Sequence, residues 1–361
     1  MGGGLAGLGA LRIAMAWIAV AAVALPGLSR GQAPAASDPA PAGVEYALVL
    51  PLESSSYGRA ADAVRAGFEA AASLARARTA VIGHDEGGAA EAHAKARATG
   101  ARVIVGPLVR DDLKLVAAAA ADWPDPPTLA LNQLDDATPL PVSFYTLAMV
   151  IEADARAIAR AARDAGAQTL GVVRTDLPLQ KRFADAFTAE WLLLGGAPPR
   201  VLHFGRAPEM LALLRTELGK TPLDAIILAV PGDDAALVKP FVGQTAAYAS
   251  SQVNDRPPQE TIRDLDDLRF VEVPWLVLPD EAAYARIPRR DYPNAAFDRL
   301  YALGIDAFRA AQLLADAGPG RPVEFDGATG HVVLDTGTRQ FVRTPVLMQF
   351  RAGQKVPARP R

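Results

Sequence analysis

Tyr46-Ala-Leu-Val-Leu-Pro51 is an apolar run of strand length closed by a proline, and the residues after it change period. Between Tyr57 and Ala77, the apolar positions Ala61, Val64, Phe68 and Ala71 recur at three- and four-residue spacing, which predicts an amphipathic helix. Thr79-Ala-Val-Ile82 then returns to a short apolar strand. The same alternation continues outward. A helix over 89–99 and a strand over 102–105 are followed by a helix over 111–121 and a strand over 127–131, with Ser143-Phe-Tyr-Thr146 read as an extended crossing segment. It then restarts, with helices over 153–165, 179–194, 208–218 and 235–241. Strands over 169–173, 201–204, 225–230, 246–250 and 270–273 lie between and after them. Gly195-Gly196 stops the second of these helices in the usual left-handed way. A long helix over 294–317 ends at Gly318-Pro319. Tyr301, Ile305, Phe308 and Ala315 share one of its faces, which is expected to pack under the first lobe.

Short apolar strands alternating with helices predict parallel sheets covered on both faces. The tail differs: after the turn Phe325-Asp-Gly-Ala-Thr-Gly330, residues 331–334 and 344–350 alternate with period two, as an antiparallel ribbon does. The fold class is therefore α/β, a bilobal clamp of two doubly wound parallel sheets joined by crossing segments, with a C-terminal antiparallel ribbon. Residues 45–147 with about 278–318 form lobe 1, and 148–277 with about 319–357 form lobe 2. No repeat of 20–50 residues is visible, which argues against a solenoid.

At 361 residues the chain has ample core-forming capacity. Its formal charge of −3 leaves no basic footprint for nucleic acid. Arg12, the apolar stretch from Ile13 to Leu25 and the small residues Gly31, Ala33, Ala35 and Ala36 are the three parts of a secretory signal. Residues 1–35 are accordingly expected to be a cleaved signal peptide, with 36–44 a Pro/Ala linker and the periplasm the destination; an uncleaved anchor is the lesser reading. Cysteine is absent, which removes disulfides, thiolate metal sites and a lipid anchor through cysteine.

Serine-hydrolase elbows, Walker loops and HExxH helices are missing too, and His84, His93, His203 and His331 show no ligand spacing. No catalytic residue, metal or cofactor is expected. Asp85-Glu86 precedes a helix and reads as capping charge. In open α/β sheets, ligands sit beyond the carboxyl ends of the strands. Those ends deliver Ser54, Ser55, Ser56, Arg110, Asn132 and Gln133 from the first half, and Asp176, Asp233, Ser250 and Ser251 from the second. Residue types alone do not name the ligand.

Several segments resemble one family. They are Val103-Ile-Val-Gly-Pro-Leu-Val-Arg-Asp-Asp-Leu-Lys-Leu-Val116 with Pro127-Thr-Leu-Ala-Leu-Asn-Gln133, and then Leu268-Arg-Phe-Val-Glu-Val-Pro-Trp275. Phe183-Ala-Asp-Ala-Phe-Thr-Ala-Glu-Trp191, Lys239-Pro-Phe with Ala247-Tyr-Ala-Ser-Ser251, Arg299-Leu-Tyr-Ala-Leu-Gly-Ile-Asp-Ala-Phe308, Phe325-Asp-Gly-Ala-Thr-Gly330 and Met348-Gln-Phe-Arg-Ala-Gly-Gln-Lys-Val356 complete the set. In order over roughly 45–357, they look like the LppC/LpoA-type penicillin-binding protein activators. The resemblance implies the type I periplasmic-binding-protein fold. It also implies a non-catalytic envelope protein that binds a class A penicillin-binding protein and stimulates peptidoglycan synthesis. On that reading Trp123 and Trp275, in loop-like contexts beside prolines, are candidates for the partner surface. Two departures stand out. Activators of this type are outer-membrane lipoproteins, and longer members carry an N-terminal helical-repeat domain that about 40 residues before Glu45 cannot hold. The alternative is a solute receptor of an amino-acid-type ABC transporter, which shares the fold. Leu108-Val109-Arg110 and Ala130-Leu131-Asn132, however, stand where such receptors commonly place small polar residues for a ligand carboxylate.

Overall fold

Tyr46, Leu48 and Leu50 face one apolar layer while Ala47 and Val49 face another, so the first strand is buried on both sides. That is the signature of a central parallel strand covered by helices front and back. The structure is a computed structural model describing residues 43–120, 126–134, 138–318 and 320–358. The expected signal peptide, residues 36–42 of the linker and Trp123 lie outside the described residues.

The first half runs β1 (Tyr46–Leu50), α1 (Gly58–Ala75), β2 (Thr79–Gly83), α2 (Ala89–Ala98), β3 (Val103–Val105), α3 (Arg110–Ala119), β4 (Thr128–Ala130) and β5 (Phe144–Leu147). The second half runs α4 (Ile151–Asp164), β6 (Leu170–Arg174), α5 (Pro178–Leu193), β7 (Arg200–His203), α6 (Pro208–Lys220), β8 (Ala225–Ala229), α7 (Gly232–Val242) and β9 (Ala246–Ala249). A 3-10 turn (Ser251–Asn254) leads to α8 (Gln259–Asp264) and β10 (Leu268–Glu272). After α9 (Pro274–Val277) and α10 (Ala295–Ala317) come β11 (Glu324–Gly327), β12 (Gly330–Asp335), β13 (Gln340–Thr344), β14 (Val346–Arg351) and β15 (Gln354–Pro357).

The strands form two sheets, ordered β11-β12-β13-β5-β4-β3-β1-β2 and β15-β14-β10-β9-β8-β6-β7. Strands β1 to β5 are parallel in the first and β6 to β10 in the second, as the alternation requires. The doubly wound clamp of the sequence reading is the observed fold.

Two details depart from that reading. Residues 143–146 are not a free crossing: Phe144–Leu147 is a sheet strand lying between β4 and β13. The C-terminal ribbon is also divided. Antiparallel β11, β12 and β13 extend the first sheet through parallel pairing of β13 with β5, and only β14 and β15 extend the second. Residues 324–344 therefore belong with the first sheet, not with lobe 2 as expected. The division follows from edge pairing, since β5 and β10 would otherwise present open hydrogen-bonding edges.

Helix α10 is fixed to the first sheet at two places. Against α1 the backbones touch: a Cβ added at Gly67 would lie 2.0 Å from the Tyr301 carbonyl oxygen, and one at Gly304 would lie 2.0 Å from that of Val64. This close approach brings Phe308 edge-on to Tyr46 and Phe68, with ring centroids 5.4 Å apart in both pairs. Tyr301 and Ile305 are buried in the same layer and Ala315 packs against it, as the spacing predicted. At the second place, the fully buried Asp306 carboxylate accepts from the amides of Ala328 (2.8 Å) and Thr329 (2.7 Å) and from the Thr329 hydroxyl (2.5 Å). Asp306 thus clamps the β11–β12 turn, and the Asp-Gly-Ala-Thr-Gly motif acquires a reason. A Cβ on Gly327 would sit 2.5 Å from both carboxylate oxygens.

Candidate functional site

The chain passes between the sheets three times: at residues 148–150, after Glu272, and at Pro345. The carboxyl ends of the parallel strands carry the expected cleft residues. In the first lobe, Ser54 lies in the loop after β1. Its hydroxyl donates to Glu86 Oε1 at 2.6 Å and accepts from the amides of Ser56 and Tyr57, while the Ser55 amide donates to Glu86 at 3.1 Å. The anion position that the serines offer is therefore filled by the chain's own carboxylate. Glu86 is held below its ordinary pKa, first by the Ser54 hydroxyl and then by backbone amides. This corrects the capping reading of Glu86, because α2 begins three residues later behind Gly88.

Asn132 is also spent internally. Its amide donates to the Leu108 carbonyl at 2.9 Å, and its oxygen accepts the Gln133 amide at 2.9 Å, which joins the loops after β3 and β4. Arg110 is the first residue of α3. In the second lobe, Asp176 is exposed and 3.6 Å from Arg174, and Asp233 is exposed in the first turn of α7, where an acid complements the helix dipole. Ser250 caps the 3-10 turn by accepting the Gln252 amide. Trp275 is no surface residue. It is 2% exposed, packed against Tyr284 and Tyr301 and covered by the Arg289 guanidinium.

A network that the sequence reading missed joins the crossings. Arg299 of α10 makes a two-pronged bond to Glu272, the last residue of β10 (2.9 and 2.8 Å), and donates to the Ser251 carbonyl at 2.8 Å. The Ser251 hydroxyl donates to Asp154 of α4 at 2.7 Å, and Asp154 pairs at 3.4 Å with Arg343, just before the third crossing. Asn254 donates to Glu272 at 2.6 Å. Outside this chain of bonds, Arg256 reaches Asp298 at 2.9 Å, and Asp255 accepts the Ala295 amide at the start of α10. One connected set of charged groups thus links elements of both sheets. The signal for it was present: Glu272 is a charge in an otherwise largely apolar strand, and buried charge needs a partner.

The four histidines stay apart. His93 is buried, with Nε2 2.9 Å from the Thr128 hydroxyl, and His331 lies between Asp326 and Glu324 at the surface. Among the described residues no His, Asp or Glu group is arranged to hold a metal ion, and no helix is long and apolar enough to cross a membrane.

Known proteins share this fold. A structure from Chromobacterium violaceum, described as a "putative branched-chain amino acid ABC transporter", is 34% identical with a TM-score of 0.76, over 84% of this chain and 99% of that one. The C-domain of LpoA from Haemophilus influenzae, described as a regulator of PBP1A, superposes with a TM-score of 0.75 at 21% identity, over 87% of this chain and all of that domain. Penicillin-binding protein activator LpoA of Escherichia coli K12 is 27% identical over 307 residues, covering 72% of this chain and 44% of the relative. The chain spans less than half the length of the curated relatives it matches. Residues 42–353 match the family described as "LppC putative lipoprotein". The chain belongs to the LppC family.

Proposed function

We propose that this chain is a non-catalytic, exported protein that binds a class A penicillin-binding protein in the periplasm and stimulates peptidoglycan synthesis. The observation that supports the reading is that Ser54, Ser55, Asn132 and Ser251, at the carboxyl ends of the strands, are bonded within the chain. Ser54 and the Ser55 amide are taken by Glu86, Asn132 by Leu108 and Gln133, and Ser251 by Asp154. A receptor for a free amino acid must present unsatisfied donors to the ligand carboxylate, since a buried carboxylate without them is costly. Here the chain's own side chains make the bonds. The lobes then serve as a scaffold for a protein surface, in line with the names of the curated relatives.

The Chromobacterium structure favours a second reading, a solute receptor, through its higher identity. A pull-down from envelope extract, run beside a thermal-shift screen of amino acids, separates the two. Recovery of a class A penicillin-binding protein with no solute raising the melting temperature is the expected result. The receptor reading instead requires a shift of several degrees from one amino acid, since a ligand at 100 times its Kd adds about 2.7 kcal/mol. Intact-mass measurement of the exported protein checks processing, with loss of about 33–36 residues expected.

A further inference from the structure

Among the described residues the sheets end on four edge strands, β2 and β11 in the first and β7 and β15 in the second. Three of them carry residues that keep an open edge from pairing. Strand β11 holds Glu324 and Asp326, β7 holds Arg200 and His203, and β15 holds Lys355 and Pro357. Strand β2 has no such guard. Thr79-Ala-Val-Ile-Gly83 contains neither charge nor proline, and all five residues are half-buried. The helices on its two sides bury their faces further in. Ala92 and Ala96 of α2 share a layer with Ala47 and Val49 of β1 and Ile104 of β3, and Val64 and Phe68 of α1 share the opposite layer with Leu48. Strand β2 adds only Ile82 and Val81 at the margins of these layers.

Its backbone has one satisfied side. The Arg78 carbonyl accepts the Tyr46 amide, and the His84 amide donates to the Leu50 carbonyl, so the even-numbered residues turn to β1. By alternation the amides and carbonyls of Thr79, Val81 and Gly83 point away from it, and among the described residues β2 pairs with β1 alone. The ends of the strand are oppositely charged. Exposed Arg76 and Arg78 precede it, and exposed Asp85 and Glu86 follow. Arg78 pairs with Glu45, and Glu86 is held by Ser54, whereas Arg76 and Asp85 make no ion pair among the described residues.

We propose that β2 is the contact of a two-fold dimer, pairing antiparallel with β2 of a second copy of this chain about Val81. That register sets Val81 against Val81, Ala80 against Ile82 and Thr79 against Gly83, so the bulkier side chains off the axis meet the smaller ones. Each outward amide then faces an outward carbonyl, and two eight-stranded sheets become continuous. The basic end of each strand lies at the acidic end of the other. A second copy supplies that complement by symmetry. The dimer does not rest on the activator reading, since it uses none of the residues at the cleft or between the sheets.

Sedimentation of the full chain over a range of concentrations tests it, and a dimer that dissociates on dilution is expected. Val81→Pro removes an outward amide and leaves the ladder to β1 intact, so it should give a folded monomer. Arg76→Glu should weaken the dimer about tenfold, because the symmetry repeats each charge contact. The lack of native cysteine lets the register be read directly. In the Val81→Cys chain the paired Cα atoms lie about 5.5 Å apart, and mild oxidation should yield a covalent dimer. In the Ile82→Cys chain the two positions are offset along the strands, with Cα atoms beyond about 7 Å, and the chains should stay unlinked. A monomer at every concentration overturns the proposal. So does a dimer unchanged by Val81→Pro or by Arg76→Glu, or equal cross-linking of the two cysteine variants.

Discussion

Asp306 and His93 are buried groups whose titrations oppose each other. Burial raises Asp306 from 3.8 to about 6, against the pull of the Thr329 hydroxyl and the Thr329 and Ala328 amides. Burial lowers His93 from 6.5 to about 4, helped by Arg97. Between pH 4 and 6 the folded chain holds a proton on Asp306 that the unfolded chain has released, so this group makes stability fall as pH rises. His93 does the reverse. The unfolded chain holds the extra proton between pH 4 and 6.5, so stability rises with pH. Each contributes at most about 3 kcal/mol, and the two offset. Urea midpoints across this range should stay nearly level for these two groups in the unaltered chain. They should fall with rising pH in His93→Gln and rise in Asp306→Asn. Parallel profiles in both variants would show that neither group titrates as its surroundings dictate. Neither role was legible in the sequence. Asp306 stands in an apolar helix and His93 among alanines, and only the fold brings Thr329 and Thr128 to them.

Among the elements, those with a strong period were legible to within a few residues, because α1 and α10 bury a continuous face and β1 and β8 bury both. Strand β5 was not, since four residues between turns carry no period of their own and its identity comes from pairing with β4 and β13. The division of the tail was hidden for the same reason: period two reports an antiparallel ribbon but not the sheet it joins. The α1–α10 contact gives a test at this scale. Gly304→Ala places a methyl 2.0 Å from the Val64 oxygen, whereas Gly219→Ala in α6 meets nothing within 4 Å. The first should destabilise by on the order of 3 kcal/mol and the second stabilise by about 0.5–1 kcal/mol, so the same substitution changes sign with context. Denaturant midpoints of the two variants check this, and a stable Gly304→Ala would mean that the helices do not touch.

For the whole molecule, the bonded chain from Arg343 through Asp154, Ser251 and Arg299 to Glu272 fastens the lobes without any ligand. Arg299→Gln leaves Glu272 buried with only Asn254 and the Val273 amide as partners, which should cost about 3–5 kcal/mol. Adding Glu272→Gln should restore part of that loss, and small-angle scattering should show a larger radius of gyration for the single variant than for the double. Additive losses would mean that the two residues are not coupled. The strand-end positions of Ser54 and Ser251 were legible, since strand ends can be counted, but their bonds were not, because their partners Glu86 and Asp154 come from distant elements. A molecule held together by its own charges is suited to present a fixed surface to a protein. The most direct measurement is the rate of glycan polymerisation by a purified class A penicillin-binding protein titrated with this chain. The rate should rise and saturate with added chain, and a tenfold excess of free amino acids should leave that response unchanged. A flat rate at every concentration, with the chain failing to bind the synthase, would contradict it.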